Sequence, residues 1–202
     1  KKDDIIRIYS DSLCSVQIAQ KTATMSILDI DINITTYSKQ SFYYKKFDVN
    51  FNSSSCFSTN ISYTLDTTTP SLPLSITLDN LISNDPTPKV TFNNVEVGAK
   101  IEIYYDFACQ FKKEEHTSSF SSPQIEIGTP LELDGIYTIY YKITDEAQNS
   151  TGCIDSAISY NYDTTMPSAP TDISLPGSNT IDSDTSITLV FEGLSNSDII
   201  RV

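Results

Sequence analysis

The residues of this chain that could most readily do chemistry are its four cysteines, Cys14, Cys56, Cys109 and Cys153. Zinc sites usually contain cysteine or histidine ligands two to four residues apart, and no two of these cysteines are that close. Disulfide bridges would place the chain in an oxidising compartment. The alternative is buried free thiols in a cytosolic protein, which fits poorly with a chain so rich in serine and threonine. Four cysteines allow three pairings, so the number of cysteines does not by itself decide which bridges form.

Catalysis has little support in the sequence. A serine or cysteine nucleophile with a histidine base would have to use His116, the only histidine of the chain. This residue lies in the charged segment Lys112–Thr117, which we interpret as a solvated loop. Carboxylates are abundant but match no glycosidase pattern, and six scattered glycines form no phosphate-binding loop. We therefore expect that the chain is not an enzyme.

Composition narrows the classes of partner. At 202 residues with 39% hydrophobic and 19% charged residues, the chain should fold, as one large or two ordinary domains. A formal net charge of −13 disfavours nucleic acid and anionic membranes, both of which attract basic surfaces. No run of about 18 apolar residues occurs, so we expect no direct insertion into a membrane.

The sequence repeats itself. Residues Tyr63–Pro73 return as Tyr160–Pro170, and Pro70 and Pro167 are 97 positions apart. The same offset relates Cys56 to Cys153, while an offset of 95 relates Cys14 to Cys109. Self-similarity of this length predicts tandem structural units of about 97 residues.

The repeat divides the chain into three units. The first unit, residues 1–69, lacks its opening strands; the second, 70–166, is complete; the third, 167–202, consists of opening strands only. Asp198–Val202 restates Asp4–Ile8, so the sequence begins and ends at the same phase of the repeat. We expect a stretch of a longer array. Alternatively, the two incomplete ends complete each other between neighbouring subunits, since unpaired sheet edges recruit strands.

The second unit has the pattern of a sandwich of β-sheets. Between Pro73 and Asp163, apolar residues alternate with period two and show no helical spacing. Short strands separated by turn residues in about 90 residues are typical of an Ig-like β-sandwich, with Tyr137 at the tyrosine corner. The strands predicted are Ile76–Leu78, Lys89–Phe92, Lys100–Tyr105, Gln124–Ile127, Tyr137–Thr144 and Ala157–Tyr162.

If each unit is self-contained, the repeat pairs Cys14 with Cys56 and Cys109 with Cys153. A simple Ig topology opposes this pairing, because the end of its third strand and the start of its last strand lie at opposite poles. The bridge therefore requires the loop after Cys109 or the long segment 146–156 to run back along the sheet.

A family resemblance rests on Gly135–Asn149 and on the junction Asp163–Pro167. These segments are similar to the tandem bacterial Ig-like repeats of large surface adhesins. The resemblance implies an extracellular or cell-surface location, a structural role, and neighbouring repeats or like subunits as partners. The first unit departs from the family at Lys39–Phe42, where an Asp-Gly turn and the corner tyrosine are replaced.

The resemblance also implies calcium near the junctions between domains. Sandwich topology places several oxygen-bearing residues at the pole where the linker enters the second unit, and Ca²⁺ is bound by six to eight oxygens. The alternative is purely structural, with Asp66 and Asp163 capping turns and Asp145 and Asn149 shaping an Asx-type turn. The candidate ligands are Asp66, Glu96, Asp145, Glu146 and Asn149.

Three functions fit the sequence. The leading hypothesis is a stiff spacer or fibre-forming segment of a surface adhesin or filament that serves cell attachment. The second is a binding module whose variable loops, Cys14–Ser41 and Cys109–Leu131, contact a cell-surface glycan or protein. The third places these sandwiches beside a secreted hydrolase domain.

Overall fold

The computed structural model describes residues 2–175, 188–195 and 198–200. Within these ranges every regular element is a β-strand and no helix occurs, so the predicted all-β class is confirmed. None of the described residues forms a helix long and apolar enough to cross a membrane.

The strands are short and are joined by turns and irregular segments. Their bounds are β1 (Ile5–Tyr9), β2 (Gln17–Thr22), β3 (Lys39–Phe47), β4 (Phe57–Thr64), β5 (Ser75–Leu78), β6 (Ile82–Ser83), β7 (Lys89–Asn93), β8 (Lys100–Tyr104), β9 (Lys112–Thr117), β10 (Gln124–Glu126), β11 (Gly135–Thr144), β12 (Ile154–Tyr162), β13 (Asp172–Ser174) and β14 (Val190–Glu192).

The second unit consists of two sheets packed face to face. One sheet has the order β10-β7-β5, and the other has the order β6-β12-β11-β8-β9. Phe92 of β7 contacts Tyr141 of β11 edge to face, with ring centroids 5.5 Å apart. The core between the sheets consists of buried apolar residues that alternate along the strands: Val90, Phe92, Val95, Ala99, Ile101, Ile103, Ile125, Ile127, Ile139, Tyr141 and Ile143.

The first unit has one sheet, of order β2-β1-β3-β4. Its strand pairings match those of the second unit when the repeat offsets of 95 or 97 are added to its residue numbers. Ile8 pairs with Tyr44 as Ile103 pairs with Tyr141. The β1–β2 and β8–β9 pairs also share a register irregularity at Tyr9 and at Tyr104.

The hairpin β13–β14 belongs to the third unit. Ile173 pairs with Phe191, as Ile76 pairs with Phe92 in the second unit. The expected third unit, 167–202, is only partly described, and Arg201 and Val202 of its sequence match to the first unit lie outside the described residues.

One interpretation of the sequence is wrong. Residues Lys112–Thr117 form the edge strand β9, paired with β8, and are not a solvated loop. The charged side chains suggest a loop because an edge strand is exposed to solvent. Charged side chains commonly protect such a strand from pairing with another chain. Here Lys100 forms an ion pair with Glu115 and Lys112 with Glu102 across the strand pair, and each lysine also pairs with the glutamate of its own strand.

Candidate functional site: the disulfides and the unit junction

Two disulfides close the first and second units. Cys14 is bonded to Cys56 and Cys109 to Cys153, with Cα–Cα distances of 5.9 and 5.7 Å. This is the pairing that the repeat favours for self-contained units. No described cysteine is free.

The second bridge is possible because the strands are staggered. Tyr140, in the middle of β11, pairs with Tyr104 at the end of β8 and with Asp155 near the start of β12. The chain after β11 turns and runs back along it, as the bridge between Thr144 and Ser150 shows. The end of β8 and the start of β12 therefore do not lie at opposite poles of the unit. The segment after β11 runs back along the sheet and brings Cys153 alongside the end of β8.

An aspartate-centred turn presents the first cysteine of each bridge. The Asp11 carboxylate accepts backbone hydrogen bonds from Leu13, Ser15 and Val16 at 2.7–3.1 Å. In the second unit Asp106 accepts the corresponding bonds from Gln110 and Phe111 at 2.9 and 3.1 Å. The turn holds the first cysteine of the bridge in the left-handed region, with φ of 51° at Cys14 and 50° at Cys109.

These hydrogen bonds also affect ionisation. The backbone N–H of Val16, with those of Ser15 and Leu13, lowers the pKa of Asp11 below its ordinary value. The N–H of Gln110, followed by that of Phe111, does the same for the pKa of Asp106. Both carboxylates are favoured in the charged form because that form accepts these bonds.

The five predicted calcium ligands fall into two groups: three lie close together near the linker, and the other two are exposed glutamates. Asp145 is buried and Asn149 is half-buried, in the turn after β11. Asn149 donates from its backbone N–H to Asp145 Oδ1 at 2.8 Å and from Nδ2 to Asp145 Oδ2 at 2.9 Å. The same Nδ2 lies 3.2 Å from the carbonyl oxygen of Asp66, so the structure brings Asp66, Asp145 and Asn149 together.

The two glutamates of the predicted set are exposed. The side chain of Glu146 lies over Gly98, where a Cβ would come within 2.5 Å of its Oε1. Gly98 has a φ of 91°, so this close approach and the backbone conformation both favour glycine there. Glu96 lies in the turn that contains Gly98, where its backbone carbonyl accepts a hydrogen bond from the backbone N–H of Ala99.

As placed, these residues fit a hydrogen-bonded turn better than a calcium site. Both oxygens of Asp145 accept N–H groups, and Asn149 presents a donor, not an oxygen, to the Asp66 carbonyl. Ca²⁺ requires six to eight oxygen ligands. In the part of the chain that the structure describes, no three acidic, histidine or cysteine side chains form a group that could hold a metal.

The first unit repeats this turn. Asp48 accepts hydrogen bonds from the backbone N–H and the Nδ2 of Asn52, each at 2.9 Å. The side chain and backbone of Asn52 lower the pKa of Asp48 below its ordinary value. A turn with these contacts therefore recurs at equivalent positions of both units.

Sequence reasoning missed a second junction residue, Asp134. Its carboxylate accepts hydrogen bonds from the hydroxyls of Thr164 and Thr165, at 2.7 and 2.9 Å, and from the Thr164 backbone N–H at 3.0 Å. The hydroxyls of Thr164 and Thr165 lower the pKa of Asp134. The dipeptide Asp134-Gly135 by itself indicates only a turn, and its position beside the following linker depends on the pairing of β11 with β12.

The tyrosine expected at a sandwich corner does make a corner contact. The Tyr137 hydroxyl donates to the carbonyl of Leu133, four residues upstream, at 2.7 Å. Gln40 occupies the corresponding position of the first unit and donates from Nε2 to the Thr36 hydroxyl, also four residues upstream. The substitution at Lys39–Phe42 thus keeps a local side-chain tie by other means.

His116 lies on β9, opposite Ile101 of β8. The comparisons with known proteins add no assignment: no family model matches the chain, and no curated protein matches it in sequence.

Proposed function

We propose that the chain is a stretch of tandem Ig-like β-sandwich repeats of about 97 residues. Its role is that of a stiff spacer or fibre-forming element in an extracellular surface adhesin or filament. Its partners are neighbouring repeats of the same chain or like subunits, and its action is mechanical and not catalytic.

The observation that carries the proposal is the agreement between the first and second units. Their main sheets share strand registers, their disulfides join equivalent cysteines, and their turns repeat the same aspartate contacts. Equivalent geometry at matching sequence positions is what a tandem array requires. The bridges also support an extracellular location, since disulfides persist in oxidising compartments.

The junction contacts support a spacer role. Asn149 of the second unit bonds the carbonyl of Asp66, immediately before the linker, and Asp134 bonds Thr164 and Thr165 in the next linker. Pro70 is buried, and proline fixes the backbone φ of a linker. Such ties restrict bending where one unit meets the next.

Surface labelling tests the location. An antibody raised against the folded chain should label intact, unpermeabilised cells, and protease treatment of those cells should remove the epitope. Labelling that requires permeabilisation would contradict the proposal. A cytosolic marker protein in the same cells controls for leakage.

A binding module is the second candidate, because exposed aromatic residues lie in and beside the variable loop Cys109–Leu131 of the second unit. Phe107, Phe111 and Phe120 are 58–80% exposed. Exposed aromatics are common at protein and glycan interfaces. This candidate predicts retention on a defined glycan array that the Phe111→Ser variant loses; an array with no bound chain would exclude glycans.

Calcium at the junction stays a prediction of the sequence. Both Asp145 oxygens accept N–H groups in this turn. We therefore expect the same melting temperature in about 5 mM calcium, a concentration that suits extracellular sites, and in excess chelator. An increase with calcium that the Asp145→Asn variant loses would contradict this expectation. Such an increase would establish the cation site that the resemblance implies.

A further inference from the structure

Four segments of the chain have the pattern Asn-x-Ser/Thr, the acceptor pattern for N-linked glycosylation of secreted proteins. A glycan is bulky and hydrophilic, so a folded chain accommodates it where the asparagine side chain faces solvent. The structure distinguishes these asparagines by what their side-chain amides contact. They are Asn33, Asn52, Asn60 and Asn149.

Two of the four amides are engaged in the turns that follow β3 and β11. Asn149 donates from Nδ2 to Asp145 Oδ2 at 2.9 Å and to the carbonyl oxygen of Asp66 at 3.2 Å. An asparagine amide has two N–H bonds, and a sugar on its nitrogen replaces one of them. Asn52 donates from Nδ2 to Asp48 at 2.9 Å. A glycan at Asn149 is therefore incompatible with its two contacts, and one at Asn52 has to share the nitrogen with a carboxylate.

Asn60, in β4, is placed differently. Its side chain is exposed, and its amide makes no hydrogen bond in the part of the chain that the structure describes. Ser62, which supplies the hydroxyl of the pattern, is also exposed. Residues 59–61 oppose the single residue Phe42 of β3, so Asn60 lies at the centre of a β-bulge. Its φ is 57°, in the left-handed region that asparagine adopts more readily than most residues.

The second unit contains the same bulge. Residues 156–158 of β12 oppose Ile139 alone, and Ala157 at the centre has a φ of 58°. In each bulge a hydroxyl donates to the carbonyl of the single opposing residue, at 2.8 Å in the first unit and 2.6 Å in the second. With the repeat offset of 97, Asn60 and Ala157 are therefore equivalent positions.

The bulge is exposed in the unit that has both of its sheets. Ala157 is exposed although the β10-β7-β5 sheet is present, and β6 pairs with β12 at Asn161 and Tyr162, beyond the bulge. The exposure of Asn60 is therefore a property of the repeat. Asn33 is also exposed, but it lies in the segment 28–34, which forms no described strand, so the second unit offers no equivalent for it.

We propose that Asn60 is a site of N-linked glycosylation. This inference rests on the proposed extracellular location, because the modification belongs to exported proteins. The co-reactant is an oligosaccharide carried on a lipid diphosphate. The amide nitrogen of Asn60 attacks the anomeric carbon of the sugar, and the C–N bond forms as the C–O bond to the phosphate breaks. The lipid diphosphate leaves with the electron pair of that bond, and the nitrogen loses one proton.

Peptide mapping of the full chain, secreted from cultured cells that attach N-linked sugars, tests the assignment. An amidase that converts a glycosylated asparagine to aspartate marks the occupied positions. Asn60 should be occupied and Asn149 should not. Ser62→Ala should abolish the sugar while Asn60 and both disulfides remain. Ser55→Ala is the matched control, because this exposed serine lies outside every pattern, and it should keep the sugar.

A transplant to the second unit tests the structural basis. Ala157→Asn builds the same pattern on the equivalent bulge, because Ile158 and Ser159 already follow it. This variant should gain a second glycan while the Cys109–Cys153 bridge still forms. Adding Ser159→Ala to it should remove the gain.

An unmodified Asn60 in a secreted wild-type chain with both disulfides intact would overturn the inference. So would an Ala157→Asn variant that folds with both bridges and gains no sugar, because the two bulges would then not be equivalent acceptors. Either result leaves the proposed function standing if surface labelling succeeds, since a surface protein needs no sugar. Failed surface labelling, by contrast, removes the extracellular role, whereas the cultured cells still report whether Asn60 is an acceptor.

Discussion

At the scale of single residues, the aspartates that centre the turns have the most consequence. Asp11 and Asp106 arrange the backbone that presents a cysteine, and Asp48 and Asp145 bind the asparagine four residues later. Asp11, Asp48 and Asp106 accept these hydrogen bonds in the charged form, and the bonds lower the pKa of each. Protonation therefore weakens contacts at equivalent places in both units.

Stability should fall with acid for this reason. The pKa values of Asp11, Asp48, Asp106 and Asp134 are lowered in the folded chain by hydrogen-bond donors. Their contribution is present above the unfolded pKa of about 3.9 and is lost as pH falls through the folded values. Melting temperature measured from pH 7 to pH 2 should decline most steeply below about pH 4.

The Asp106→Asn variant checks the cause. It should melt below the wild type at pH 7 and show a shallower decline in acid, while Asp31→Asn at an exposed position serves as the control. A wild-type profile that is flat down to pH 2 would show that these turns do not stabilise the fold.

The disulfides give a larger effect. Replacing Cys109 and Cys153 together by serine removes a bridge that closes a 44-residue separation. The loop-entropy model predicts a loss of about 4 kcal/mol in the free energy of unfolding. Denaturant unfolding measures it, and the equivalent Cys14→Ser, Cys56→Ser variant should destabilise the first unit by a similar amount. No change in either variant would exclude a stabilising role for the bridges.

At the scale of elements, the packing of the β10-β7-β5 sheet against the other sheet of the second unit determines how much its buried residues contribute to stability. Phe92 of β7 is fully buried against Tyr141, so Phe92→Ala should cost about 3–5 kcal/mol in the unfolding free energy. Phe111→Ala is the matched control, since Phe111 is 70% exposed. Equal stability of the two variants in denaturant unfolding would contradict the packing of the two sheets.

The strands with alternating apolar residues were predictable from the sequence, and all six predicted strands of the second unit occur with ends shifted by up to three residues. β9 was missed because its charged side chains pair across an edge, which leaves no alternation to detect. β6 is only two residues long, too short for any periodicity.

The candidate site was predictable only in part. The cysteine pairing follows from the repeat, and the contact between Asp145 and Asn149 follows from their spacing in a turn. The tie from Asp134 to Thr164 and Thr165 spans 30 residues of sequence and depends on the pairing of β11 with β12. Topology predicts that Glu96 and Glu146 lie near the linker, but spacing does not show that both residues are exposed.

At the scale of the whole molecule, the first and second units match and are closed by equivalent bridges. A pull on the chain ends should extend each unit only up to its disulfide, because the bridged residues cannot separate. The bridges hold 42 residues of separation in the first unit and 44 in the second. This arrangement suits a mechanical element, since a load cannot fully unravel either unit.

Single-molecule stretching of the full chain, with and without a reductant, tests this claim most directly. Reduction under load should release two similar increments of contour length, each about 140–160 Å at 3.3–3.6 Å per residue. A single larger increment of about 310–340 Å, as a Cys14 to Cys109 bridge would give at the same length per residue, would contradict two self-contained units.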